Sequence, residues 1–296
     1  MTPPTLLLTG ATGFLGLRLA PGLAGPWRVV AASRTPSGPD GVALDLADPD
    51  SIRKAFEKAL PAAVVHGAAI ASPDACERDP DLARRVNAEG TKVLAGLCGA
   101  AGARLILIST DLVFDGEKGR YDEDDAPNPL SVYGRVKLEA EEAALSRAPG
   151  AAVVRICAAY GRLLGGRPCF TDELLASLSR GEPVSAFNDQ WRTATAADFL
   201  PDVLQCILEE RELTGVFHWG GAERATRFEA AVQLCRTFGY DESLVRPSRM
   251  NDERRPARRP RDSSLDSSRL SAALGIAPTT MAEGFAALKS AARAAA

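Results

Sequence analysis

Histidine is scarce in this chain of 296 residues: there are two, His66 and His218. Neither has ligand-like spacing around it, so no metal site and no histidine-based nucleophilic triad is expected. The six cysteines (Cys76, Cys98, Cys157, Cys169, Cys206 and Cys235) form no C-x-x-C pair and read as buried or half-buried free thiols. Long apolar runs are missing: Leu6–Leu8 and Leu105–Ile108 are far too short to span a bilayer. There is no basic excess either. The chain has 35 Lys and Arg against 38 Asp and Glu, a formal net charge of -3, which argues against nucleic acid or an anionic membrane as partner. The start, Met1-Thr2-Pro3-Pro4, lacks a basic segment and a long apolar stretch. The expectation is therefore no signal peptide and a cytoplasmic location. A hydrophobic share of 46% excludes wholesale disorder, and the length suits one large α/β domain or two unequal ones.

Short apolar runs alternate with helical patterns through the first half. Strands are expected at Thr5–Thr9, Trp27–Ala32, Ala63–His66, Arg104–Ser109 and Ala152–Cys157. Between them, helices are expected from the glycine-rich turn to about Leu23, over Ser51–Leu60, over Asp79–Ala101 with Pro80 in the first turn, and from Asn128-Pro129 to about Arg147. This rhythm predicts α/β architecture: a Rossmann-type, doubly wound parallel sheet over residues 1–160. From 161 to 296 a smaller, mixed substrate-binding region is expected, with parts of 186–219 returning to the sheet. That region holds a Gly/Arg-rich loop (Gly161–Arg167), helices over Phe170–Arg180, Ala196–Arg211 and Arg227–Gly239, and strands over Pro183–Phe187 and Gly215–Trp219. The Arg- and Pro-rich stretch Arg249–Arg261 reads as a loop, either a solvated basic face or a ligand clamp. The Ala-rich tail after Gly284 reads as a terminal helix.

Thr9-Gly10-Ala11-Thr12-Gly13-Phe14-Leu15-Gly16 follows the first strand and opens the first helix. Gly10 permits a tight turn, Gly13 lets backbone approach a pyrophosphate, and Gly16 lets the helix lie close to the sheet. The helix start offers N–H groups to phosphates. The second strand ends in Ser33-Arg34, where an NAD-preferring site usually carries an acid. Arg34, with the Ser33 hydroxyl beside it, suits the 2′-phosphate of NADP, so NADPH is the expected cofactor; the alternative is a plain surface arginine. Asp45-Leu46 is placed to reach the adenine, or Asp45 caps a helix. Further on, the fifth expected strand ends in Ser109-Thr110-Asp111, facing the ligand crevice. Tyr133 and Lys137 are i and i+4 on one helix face. An ammonium beside a phenol would lower the phenol's pKa and bring it closer to the operating pH for proton transfer.

Together these residues resemble an extended short-chain dehydrogenase/reductase of the dTDP-4-dehydrorhamnose reductase-like branch. The resemblance also runs through His66-Gly67-Ala68-Ala69, Val86-Asn87, Ser109-Thr110-Asp111-Leu112-Val113-Phe114-Asp115-Gly116, Asn188-Asp189-Gln190 and Arg259-Pro260. It implies that Tyr133 is the general acid at the substrate carbonyl and that Lys137 binds the nicotinamide ribose. It also implies that Thr110 orients the carbonyl and that Asn87 shapes the helix around a proton-relay water, where the alternative is an Asn satisfying a backbone kink. Gly67, Ala68 and Ala69 would line the cofactor trough, and Tyr160 would sit near the carboxamide. Arg192 would grip a substrate diphosphate; the alternative is a surface arginine.

Two departures stand out. Ala158 occupies a position where the branch usually carries a tryptophan, which points to a different substrate pocket. Arg18 replaces a glutamate that in some bacterial members joins a metal-bridged dimer, so that dimer is not expected. The leading expectation is an NADPH-dependent reductase of a keto-sugar, which the family resemblance implies is nucleotide-linked, working as a monomer or homodimer. The alternatives are an NAD-retaining nucleotide-sugar epimerase or dehydratase, and a non-catalytic NADP-binding regulatory subunit.

Overall fold

The computed structural model describes residues 2–36, 38, 40–162, 164–165, 168–252 and 254–293. Leu163, Gly166 and Arg167 of the expected Gly/Arg-rich loop, Glu253 of the Arg-rich stretch, and residues 294–296 of the tail lie outside it. The chain runs β1 (Thr5–Thr9), α1 (Gly16–Gly22), β2 (Arg28–Ser33), β3 (Gly41–Ala43), α2 (Pro49–Ala59), β4 (Ala63–His66), α3 (Pro73–Arg78), α4 (Pro80–Arg84) and α5 (Gly90–Ala101). It continues through β5 (Arg104–Thr110), α6 (Val132–Arg147), β6 (Ala152–Ile156), α7 (Phe170–Leu178), β7 (Val184–Phe187), β8 (Trp191–Arg192), α8 (Leu200–Glu209) and β9 (Gly215–Trp219). β10 (Ala225–Thr226), α9 (Arg227–Phe238), β11 (Val245–Ser248), α10 (Ser268–Leu274) and α11 (Met281–Arg293) complete it.

Seven strands form one parallel sheet in the order β3-β2-β1-β4-β5-β6-β9. Both faces are covered, as the near-continuous apolar strands require. Alternation along β1 divides the core. Leu7 points to the side packed by α2, α5 and α6, and Leu6 and Leu8 to the side packed by α1, α8 and α10. β9 closes the sheet against β6, so the chain beyond residue 160 returns to the first sheet. Arg104 holds that return in place. Its buried guanidinium donates to the carbonyl of Gly150, just before β6, and to those of Ile207, Glu210, Arg211 and Leu213, at and beyond the last turn of α8. A further core, with Tyr160, Leu234, Phe285 and Leu288, lies among α7, α9, α11 and the parallel pair β7–β11.

Two expected helices differ. The Asp79–Ala101 pattern is helical throughout but not uniform: a π turn at Arg85–Glu89 separates α4 from α5. The helix expected from Asn128 starts at Val132, capped by Ser131, whose Oγ accepts from Gly134 N at 3.2 Å. Asn128 instead closes the loop after β5. Its N donates to Val113 O at 2.9 Å and its Nδ2 to Asp115 Oδ2 at 2.9 Å. The cysteines are free thiols, buried or half-buried as expected.

Candidate active site

Strand order reverses between β1 and β4, and the carboxyl ends at such a reversal open a ligand crevice. Gly10, Thr12, Gly13, Ser33, Arg34, Asp45, Leu46, Ala68 and Ala69 line one cleft there, of about 330 Å³. Phe14, Leu15, Gly16 and Gly67 are not among the lining residues: the Phe14 ring lies under the Arg18 guanidinium, 4.3 Å from it, and Leu15 precedes α1 and packs on the core. Gly10 has φ +75°, and a Cβ there would lie 2.8 Å from Ala68 N. Glycine is thus required both for the turn and for the approach of β1 to the β4 loop. Arg34 is exposed at the rim with no hydrogen bond or ion pair among the described residues. Ser33 Oγ donates to Thr35 O. Asp45 is not the helix cap. Asp48 caps α2, accepting from Asp50 N at 2.9 Å, while Asp45 accepts from Ala47 N at 2.9 Å and keeps its place in the cleft. A dinucleotide fits this trough: a cradle that a Cβ would fill, small alanines opposite, and an unpartnered cation at the end of β2.

Asn87, on the π turn, does not reach toward Tyr133. Its Oδ1 accepts from Ile70 N at 2.8 Å and its Nδ2 donates to Ile70 O at 3.1 Å, so it ties down the loop that continues the Ala68–Ala69 wall.

The hydroxyl-bearing strand end and the Tyr133 helix meet at the next loop. Gly134 lets the first turn of α6 close on that loop, since a Cβ would lie 2.2 Å from Leu112 O. Tyr133 is buried beside Thr110 and packs in a cluster with Ile70 and Leu112. Ile70 lines the cofactor cleft and Leu112 lines a second cavity, while Tyr133 itself lines neither. The expected acidification of Tyr133 by Lys137 is not found. Burial, with Asp111 nearby, raises the phenol above its usual range. Lys137 is itself buried, and Nζ donates to Ile108 O at 2.8 Å. Burial brings this ammonium down to about 8, against the pull of Glu141. Glu141 is engaged by Arg155 at 2.6 Å and by the Ser109 hydroxyl.

The second cavity has about 400 Å³ and begins at Asp111, Leu112 and Ala158. Among the described residues five arginines line it: Arg192, Arg227, Arg255, Arg258 and Arg259. Arg192 is not a free clamp. Its guanidinium donates to the carbonyls of Trp191 (2.5 Å), Pro260 (3.0 Å) and Arg261 (3.3 Å), and pairs with Asp111 at 3.4 Å. Arg227 was missed by sequence reasoning. Its Nε donates to Gln190 Oε1 at 2.7 Å, its guanidinium lies 5.2 Å from the centre of the Phe170 ring, and its Nη groups have no partner among the described residues. Burial and the neighbouring Arg192 and Arg255 bring it down to about 10. The Arg249–Arg261 stretch therefore faces a cavity and is no mere solvated face. It is latched by Asp74, which accepts from Ala257 N at 3.1 Å and from Arg259 Nη2 at 3.0 Å.

Tyr160 does not reach the cofactor cleft. Its ring packs against Phe285 and Phe170, with centroids 5.2 and 6.1 Å away. Arg18 serves within the chain: Nε meets Asp198 Oδ1 at 2.6 Å, and its other nitrogens donate to the carbonyls of Phe14 and Arg162.

Residues 4–293 match the family model described as RmlD substrate binding domain. Methionine adenosyltransferase 2 subunit beta of Bos taurus is 35% identical over 93% of this chain and 84% of its own length. A probable low-salt glycan biosynthesis reductase of Haloferax volcanii is 31% identical over 96% and 97%. The crystal structure of a dTDP-4-dehydrorhamnose reductase from Clostridium acetobutylicum superposes with a TM-score of 0.88 at 30% identity, covering 98% of this chain and 99% of that one. The chain belongs to the RmlD substrate-binding-domain family, a branch of the NAD(P)-dependent oxidoreductases known as extended short-chain dehydrogenases/reductases.

Proposed function

We propose that the protein is an NADPH-dependent reductase of a nucleotide-linked keto-sugar. The observation that carries this is the crowding of Arg192, Arg227 and Arg255 at one cavity, whose lining residue Leu112 packs in one cluster with Tyr133. Packed guanidinium groups repel one another, and an anionic ligand relieves that repulsion. A diphosphate is the matching anion, because its oxygens accept paired donors from a guanidinium edge. The Arg227 Nη groups are the donors left for it, and Arg258 adds an exposed cation.

NADPH supplies the hydride. Arg34 at the rim suits the 2′-phosphate. Thr110 orients the substrate carbonyl and Tyr133 donates the proton to its oxygen. The raised pKa of the phenol keeps it in the protonated form needed for donation. Lys137, fixed by Ile108 O, holds a positive charge one helical turn from Tyr133 on α6. Asn87 and Tyr160 have structural positions and no part in these steps.

The dehydratase alternative needs Asp111 as an available acid, and Asp111 is engaged by Arg192, Ser263 and Thr110. The regulatory-subunit alternative draws support from the bovine relative. One experiment separates the readings: NADPH and NADH oxidation with a panel of dTDP-, UDP- and GDP-linked keto-sugars. A reductase consumes NADPH, in preference to NADH, with at least one of them. Binding of NADPH without turnover of any of them contradicts the reductase reading and leaves the regulatory one.

A further inference from the structure

His66 ends β4 with its imidazole fully buried, and no step above uses it. Its Nδ1 lies 2.6 Å from Thr9 Oγ1, and its Nε2 lies 2.9 Å from Thr91 Oγ1. The neighbours of these hydroxyls indicate the direction of the hydrogen bonds. Thr9 Oγ1 accepts from Ala68 N at 3.2 Å and has its proton left to give to His66 Nδ1. Thr91 Oγ1 donates its proton to Asn87 O at 2.6 Å and is left to accept from His66 Nε2–H. One ordered chain results, Ala68 N–H to Thr9 to His66 to Thr91 to Asn87 O. It requires the neutral imidazole with its proton on Nε2. Burial keeps His66 neutral, its pKa falling to about 3.

Both ends of this chain hold the same piece of cofactor cleft. Ala68 is bound through its N–H, and Asn87 grips Ile70 through both amide atoms. The backbone polar groups concerned are thus satisfied from within the protein. Ala68 N is also the atom that Gly10 approaches so closely that a Cβ would not fit. A shift of Ala68 by a few tenths of an ångström would change the cleft where the two loops meet.

We propose that His66 is a positioning residue for the nicotinamide dinucleotide, setting the Ala68–Ile70 wall through the Thr9–His66–Thr91–Asn87 relay in its Nε2–H form. The proposal needs only the cofactor cleft and stands whether or not the substrate is a keto-sugar. The test is the Kd of NADPH by fluorescence titration for the wild type, His66→Phe, Thr91→Val and Thr91→Ser, with the melting temperature recorded for each and the imidazole nitrogens of the wild type read by ¹⁵N NMR. Removing the Thr91 hydroxyl in Thr91→Val, which preserves side-chain shape and breaks both of its hydrogen bonds in the relay, is expected to weaken NADPH binding about tenfold. Thr91→Ser, which keeps the hydroxyl, is expected to restore it. Thr91→Val decides the matter if His66→Phe fails to fold. Where turnover is measurable, KM for NADPH should rise with kcat changed much less. Unchanged NADPH affinity in folded Thr91→Val, or a wild-type imidazole protonated on Nδ1, would overturn the proposal.

Discussion

Arg227 occupies the first position of α9, after Thr226, which caps that helix in a reciprocal pair with Glu229. The cap fixes where the helix begins, and so where this guanidinium points. Its Nε is spent on Gln190, while its Nη edge faces a cavity shared with other arginines. Replacing it with glutamine should therefore act on substrate binding far more than on chemistry. For Arg227→Gln we expect KM for the nucleotide-sugar to rise about 10- to 100-fold, with kcat within a few-fold of wild type. Steady-state kinetics at saturating NADPH measures both. An unchanged KM would remove the diphosphate from this cavity. The same residue marks what a sequence hides. An arginine at a helix start looks like many others, and its neighbours at the cavity come from β8 and from the segment after β11.

At the scale of elements, β5 and β6 were readable because both their faces are buried and their residues are almost continuously apolar. The three residues of β3 carry too little pattern for that, and α3, with six, has one buried residue. The π turn at Arg85–Glu89 preserves the helical spacing around it closely enough to pass as one long helix. Buried charge is harder still to read. Arg104 begins β5 yet serves α8, about a hundred residues later, by collecting four carbonyls at and beyond the end of that helix, and a fifth, from Gly150, just before β6. Arg104→Met keeps a long side chain and removes every donor, leaving those carbonyls to find water or strain. We expect a loss of about 3 kcal/mol in unfolding free energy by urea denaturation. A loss below 1 kcal/mol would mean that packing alone holds α8 on the sheet.

For the whole molecule, two buried neutral histidines set a dependence on acid. His66 is brought down to about 3 by burial, with Lys137 adding to it, and His218 to about 4 by burial and Arg155. Between pH 6.5 and 4 the unfolded chain takes protons on both imidazoles that the folded chain refuses. Stability therefore falls as pH falls through that window, each histidine removing on the order of 2–3 kcal/mol. Asp74 and Asp115, whose pKa values are lowered in the folded state, act in the same direction below it. Denaturation curves from pH 7 to pH 4 should show this decline; a flat profile would contradict the buried neutral state. The doubly wound topology and the cofactor loop were legible in the order of strands and the glycine spacing. The second cavity was not, because Asp111, Ala158, Arg192, Arg227 and Arg255 lie far apart in the chain and meet only in the fold, where Asp74 latches the arginine-rich segment. The proposed reduction turns on the Tyr133 phenol as proton donor. Its most direct test is Tyr133→Phe, assayed for NADPH oxidation with an accepted keto-sugar and for NADPH binding by fluorescence. The expected result is a fall in turnover of about 10³-fold with the Kd for NADPH within twofold of wild type; turnover that survives the loss of the hydroxyl would contradict it.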